Sequence, residues 1–216
     1  MEEPIKLHLG CGQRYLEGYL NIDFPPSEHT VQTEAKVDQY ADIRELNYPR
    51  ASVGEVRLHH VFEHFTRPVA LALLAAWNVW LEPEGTLRIE VPDFDRTARR
   101  VLSPLTSERR RGVALRHIFG SQEAAWALHC EGWSKRRLAR AAKAFGFRTT
   151  SARKTRYKGI YNIDMSFKRT RQLSAPEARS IARSMLSNNL VGPEMTILDV
   201  WMAAYDEQIR KSCPSE

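Results

Sequence analysis

The reading of this chain turns on Ile5-Lys6-Leu7-His8-Leu9-Gly10-Cys11-Gly12, an apolar-rich run closed by two glycines around a cysteine. Such a run predicts a short strand that drops into a tight loop. Outward from it, Tyr19-Leu20-Asn21-Ile22-Asp23 predicts a second strand ending on an acid, and Pro25 stops it. Val37 to Ala41 gives a third strand closing on Asp42. Val53 to His60 gives a fourth, opening into His59-His60-Val61-Phe62-Glu63-His64. Pro68 to Leu81 is apolar on nearly every face and predicts a buried helix. Glu82-Pro83-Glu84-Gly85 ends that helix, and Thr86 to Val91 is a fifth strand closed by Pro92-Asp93.

Beyond it, Arg96 to Phe119 predicts one or two basic helices broken at Ser103-Pro104, and Gly120 to Trp133 is less regular. Ser134 is a good N-cap for a helix to Phe145, which Gly146 ends. Phe147 to Arg153 and Tyr161 to Thr170 read as an antiparallel strand pair, and Ser174 to Leu186 and Met195 to Lys211 as terminal helices. Strand–helix alternation of this kind predicts an α/β fold: a mostly parallel sheet with a final antiparallel strand and helices on both faces. We expect one domain over residues 1–170, with an acceptor-specific insertion around 96–133. Residues 171–216 form a C-terminal helical extension, a lid or a dimer contact.

The chain has 216 residues, 43% apolar and 27% charged, which is ordinary globular composition and argues against disorder. The longest apolar stretch, Val69 to Leu81, is too short to cross a bilayer, and the N-terminal residues lack a signal-peptide pattern. Cysteines at 11, 130 and 213 have no zinc-ribbon spacing and suit a reduced compartment, so a cytoplasmic protein is expected. Charge is divided unevenly. Residues 1–95 hold 8 Lys/Arg against 16 Asp/Glu, and residues 96–216 hold 24 against 10. A basic half attracts phosphate, nucleic acid or an acidic substrate; the plainer reading is a solvated arginine-rich surface.

In a parallel α/β sheet, ligands bind beyond the carboxyl ends of the strands. Gly10 and Gly12, Asp23, Asp42, His60 and Asp93 all fall at such ends. Glycines let a ligand approach the backbone, and an acid ending the second strand can accept from ribose hydroxyls. No third glycine or phosphate-binding lysine follows, which favours a nucleoside ligand without a pyrophosphate.

Over residues 5–170 the chain resembles the class I S-adenosylmethionine-dependent methyltransferases. The resemblance rests on Leu7-His-Leu-Gly-Cys-Gly12, Asn21-Ile-Asp23, Ala41-Asp-Ile43, His60-Val-Phe-Glu-His64, Leu81-Glu-Pro-Glu-Gly85 and Leu87-Arg-Ile-Glu-Val-Pro-Asp93, in that order. It implies that Leu9, Gly10, Cys11 and Gly12 back the methionine moiety, with His60 nearby, that Asp23 binds the ribose, and that Asp42 and Ile43 hold the adenine. Asp23 follows Gly10 by only 13 positions, so the first helix of the family must shrink to a turn or two around Arg14 to Gly18. This short form resembles a methyltransferase branch tied to polysaccharide and glycan biosynthesis, with a methylmannose-polysaccharide type O-methyltransferase as one concrete form.

Methyl transfer to a hydroxyl needs orientation and a general base, and histidine suits the latter. His60 and His64, with Glu63, stand at the fourth strand's end; His117 and His129 flank the insertion. Each is a candidate base or a structural histidine, and His8 and His29 read as structural or solvated. Asp93 and Asp95, with Glu63, could hold Mg²⁺, or could simply cap the next helix. Trp126 and Trp133 are candidates for stacking on a sugar, and Tyr157 and Tyr161 for the acceptor rim; Trp77 and Trp80 read as core. The expected function is O-methylation of a sugar hydroxyl on a small-molecule or oligosaccharide acceptor. RNA or small-molecule N-methylation, and a non-catalytic cofactor-binding partner subunit, are the alternatives. Nucleic acid is disfavoured because no appended RNA-binding motif is present.

Overall fold

The computed structural model describes residues 3–25, 27, 36–157 and 159–213, so His29 lies outside the described residues. The strands are β1 (Ile5–Leu9), β2 (Leu20–Asp23), β3 (Gln39–Tyr40), β4 (Val53–His59), β5 (Leu81–Pro92), β6 (Phe147–Tyr157) and β7 (Ile160–Arg169). They form one seven-stranded sheet in the order β3-β2-β1-β4-β5-β7-β6. β1 pairs in parallel with β2 and β4, β4 with β5, and β7 is antiparallel to both its neighbours. This is the mostly parallel sheet with a reversed late strand that the sequence predicts.

The helices are α1 (Arg67–Trp80), α2 (Phe94–Leu102), α3 (Glu108–Phe119), α4 (Lys135–Ala144), α5 (Ala175–Ser187) and α6 (Met195–Ser212). α1 is buried along most of its length because its residues are apolar all round. Asn78, its one buried polar side chain, bridges the carbonyls of Phe145 and Arg171 and the Leu173 amide. α5 and α6 complete the layer on α1, where the Trp80 indole donates to the Ser212 carbonyl at 2.9 Å and Gln208 to the Arg44 carbonyl at 2.7 Å. The C-terminal extension is therefore packed on the body of the domain. Among the described residues, no helix is long and apolar enough to cross a membrane.

Strand alternation shows what each face does. Val56 and Leu58 of β4, Leu87, Ile89 and Val91 of β5, and Ile163, Met165 and Phe167 of β7 join α1, α4, α5 and α6 in one apolar core. The alternate residues Glu55, Arg57, His59, Arg88 and Glu90 are half-buried and polar. On the polar side of these strands Arg88 pairs with Asp164 and Thr155 with Glu90. Between β1 and β2, residues 11–19 form turns, so the turn or two of helix expected there is missing.

Candidate active site

Two loops leave neighbouring strands at the carboxyl edge of the sheet. After β1, Gly10 and Gly12 adopt φ of +66° and +53°, a region open to glycine at little steric cost. The Gly10 and Cys11 amides both donate to the Ile22 carbonyl, at 2.8 and 3.1 Å, which ties the loop to β2. A Cβ at Gly10 would overlap Val61, so this glycine is needed for packing as well as for its backbone angle. Cys11 is buried, and burial together with the Asp23 charge pushes its thiol up to about 12.

Asp23 ends β2 at 6% exposure. Its carboxylate accepts from the Gly12 amide and, at 2.8 Å, from the Phe24 amide. Asp42 caps the short 3-10 helix Ile43–Glu45 and is gripped by the Arg44 guanidinium at 2.6 and 2.9 Å. Ile43 itself is buried in the core.

The second loop follows β4. His60 takes φ of +55°, an uncommon angle for a residue with a Cβ, and its amide donates to the Glu90 carbonyl at 2.9 Å. That turn sends Phe62–His64 into a 3-10 helix and buries Glu63 to 1% exposure. His60 Nδ1 lies 3.4 Å from Glu63 Oε1, and His129 Nε2 lies 3.9 Å from the same oxygen. His129 and His64 rings meet edge to face at 4.7 Å, and His117 and His60 rings lie 6.2 Å apart. Three of the histidines singled out in the sequence, His60, His64 and His129, thus converge on one buried carboxylate, and His117 stands behind His60. Burial works against a charged His60, but the Glu63 carboxylate beside it outweighs this and the net shift is upward. Burial works against a charged Glu63, but the imidazoles of His60, His64 and His129 outweigh it and hold the carboxyl below its ordinary value. His117 and His129 are both lowered by burial.

The remaining candidates sort differently. Asp93 caps α2 by accepting from the Arg96 amide at 3.1 Å, and Asp95 is exposed on that helix's first turn. Neither joins Glu63 at ligand distance: among the described residues, the grouping that could hold a metal is Glu63, His64 and His129. The Mg²⁺ set of Glu63, Asp93 and Asp95 is thus not assembled. Trp133 is 4% exposed and stacks on Phe62 at 5.0 Å, with no face for a sugar ring. Its sequence neighbours Gly132 and Ser134 gave no sign of that burial. Trp126 is half-buried on the 3-10 helix Ala125–Ala127, and Tyr157 is exposed at the end of β6.

Tyr161 has a setting the sequence did not disclose. The guanidinium carbons of Arg96, Arg100 and Arg156 stand 4.0, 4.6 and 5.7 Å from its ring centroid. Arg96, Arg99, Arg100, Ser103, Thr106 and Tyr161 line an open cleft of about 310 Å³. The clue lay in Arg96 to Arg100, whose basic residues repeat at helical spacing on α2.

No family model and no curated protein matches the chain. Solved structures do. One is the complex of the Haloferax volcanii Trm112 methyltransferase activator with a chain described as a methyltransferase, at TM-score 0.54 and 14% identity over 79% of this chain and 84% of that one. Another is Burkholderia thailandensis 1,6-didemethyltoxoflavin-N1-methyltransferase with bound 1,6-didemethyltoxoflavin and S-adenosylhomocysteine, at 0.50 and 14% over 78% and 72%. A third is an S-adenosylmethionine-dependent methyltransferase of Methanosarcina mazei, at 0.52 and 11% over 78% and 94%. The chain has the class I methyltransferase fold.

Proposed function

We propose that the chain is an S-adenosylmethionine-dependent O-methyltransferase that methylates a sugar hydroxyl in polysaccharide or glycosylated-metabolite biosynthesis. The observation that carries this reading is the meeting of two loops at the carboxyl edge of a class I methyltransferase sheet. The glycine loop lies against Asp23, and His60 stands beside Glu63 on the adjacent strand end.

The residues fit the cofactor. Leu9, Gly10, Cys11 and Gly12 back the methionine with bare main chain, and the Asp23 carboxylate accepts from the ribose hydroxyls. Arg44 occupies the Asp42 carboxylate, so the adenine falls to the main chain at Asp42-Ile43, with the Ile43 side chain behind it in the core. When bound, the sulfonium supplies an electrophilic methyl carbon. His60 is the base: its side chain is 42% exposed, whereas that of His129 is 12% exposed. His64, His117 and His129 are each fixed through one ring nitrogen on a main-chain carbonyl. Glu63 faces His60 Nδ1 and leaves Nε2 to take the hydroxyl proton. Asp93, Asp95, Trp126, Tyr157 and Tyr161 lie toward the acceptor side, and the arginine cleft beside Tyr161 suits an acceptor carrying an acidic group.

Calorimetric titration with S-adenosylmethionine and S-adenosylhomocysteine tests the cofactor, and a screen of neutral and acidic sugars tests the acceptor. Micromolar binding followed by methyl transfer to a sugar is the expected result. Absence of binding to either compound would overturn the reading.

A further inference from the structure

Glu63 is a buried carboxylate whose two oxygens make no hydrogen bond of good geometry among the described residues; His60 Nδ1 stands beside Oε1 at a long 3.4 Å. An ionised carboxylate so weakly served out of water is costly unless a further cation compensates it. The groups facing it are arranged for such a cation. His64 Nδ1 lies 3.0 Å from the Leu128 carbonyl, and His129 Nδ1 lies 3.1 Å from the His117 carbonyl. A carbonyl only accepts, so each Nδ1 carries the proton, and in the neutral ring the lone pair belongs to Nε2. Fixing a ring by a main-chain carbonyl on its far nitrogen is the usual second layer behind a metal-bound imidazole.

From this geometry we propose that Glu63, His64 and His129 bind one Zn²⁺ ion, independently of the methyltransferase reading. Two imidazoles and one carboxylate match three-ligand zinc sites and are poorly suited to Mg²⁺, which prefers oxygen. Zinc bonds of about 2.0–2.1 Å set tetrahedral donors about 3.4 Å apart. Metal entry therefore closes the set inward from its present spread of up to 4.8 Å. The frame for that closure exists: the Cys130 and Glu131 amides both donate to the Glu63 carbonyl, at 2.8 and 3.2 Å. A carboxylate offers about four lone-pair sites, so Glu63 can hold the ion and still face His60. The ion would clamp the turn after β4 to the segment before α4, immediately behind His60.

The test uses the full chain stripped with chelator and titrated with zinc against a chromophoric competitor, with metal content read by mass spectrometry and cobalt substituted for its visible spectrum. The expected result is one ion per chain, a tetrahedral cobalt spectrum, and no competition by millimolar Mg²⁺. His64→Ala and His129→Gln should each weaken zinc binding by roughly a hundredfold or more, and Cys130→Ser should leave it unchanged. Far-UV circular dichroism and S-adenosylmethionine affinity report whether each variant is folded. Wild-type zinc affinity in folded His64→Ala or His129→Gln, loss of binding in Cys130→Ser, or no zinc uptake by a chain that still binds S-adenosylmethionine would each overturn the site. The last outcome leaves the methyltransferase reading standing.

Discussion

His8 and His59, on the neighbouring strands β1 and β4, are joined ring to ring by a 3.0 Å bond between His8 Nε2 and His59 Nδ1. Its direction is fixed from both ends. Asn21 spends its amide hydrogens on Leu16, Tyr19 and Asp38, so its oxygen accepts from His8 Nδ1 at 3.0 Å. Arg57 donates to His59 Nε2 at 3.2 Å. Both rings are therefore neutral, with His59 Nδ1 donating to His8 Nε2.

Acid should break this chain first. Burial, aided by Arg14 and Arg57, holds His59 down at about 2, and burial also lowers His8. The unfolded chain takes up these protons near pH 6.5, so the stabilisation is complete above that pH and is lost progressively as pH falls toward the folded values. Thermal melts between pH 7.5 and 4.5 should show a falling midpoint, about 2–4 °C per kcal/mol for a chain of this size. His59→Gln should flatten the slope; an unchanged slope would place the acid sensitivity elsewhere.

The Gly12 and Phe24 amides donate to different oxygens of Asp23, so Asp23→Asn keeps an acceptor for one of them, turns an NH2 toward the other and removes the charge that would grip two hydroxyls. Affinity for S-adenosylhomocysteine should fall by about 1–3 kcal/mol, with a modest fall in melting temperature from the mispaired amide. Calorimetry on the folded variant decides it, and equal affinity would remove Asp23 from the ribose.

Gly10→Ala acts on stability. A Cβ there meets Val61 and forces a left-handed backbone on a residue that resists it, and the two effects together cost about 2–4 kcal/mol. Adding Val61→Ala should restore the steric share and leave the backbone share. Urea unfolding of the single and double variants separates them.

Arg96 makes no ion pair among the described residues and lies over the Tyr161 ring. If the cleft receives an acidic acceptor, Arg96→Ala should raise the acceptor KM roughly ten- to a hundredfold and reduce its salt dependence. Cofactor affinity should stay put. An acceptor KM that ignores both the substitution and the salt would empty the cleft of that role.

The sheet was legible wherever an apolar run met a sharp stop: Leu9 at Gly10, Asp23 before Pro25, Val91 before Pro92-Asp93. β3 shrank to Gln39–Tyr40 because both residues are exposed and little packs on them. β6 outran its predicted end at Arg153 and continues to Tyr157. As an edge strand it buries few side chains, so arginines fill positions that elsewhere announce a strand. The site was legible in pieces. His60, Glu63 and His64 share one segment, but His129 lies 65 positions beyond His64 and reaches them by a connection that no local pattern encodes. Trp133 misled for the same reason, since its partner Phe62 lies far off in sequence.

Among the described residues, β6 is the last strand of the sheet, bonded to β7 along one side. Arg148, Arg153, Lys154 and Arg156 stud it, with no acid among its residues. An open strand edge is a template on which another copy of the same chain can add. Here an approaching copy in edge-to-edge register would set guanidinium against guanidinium. Like charge along that edge opposes such addition, which gives part of the cationic excess of the C-terminal half a physical consequence beyond ligand attraction.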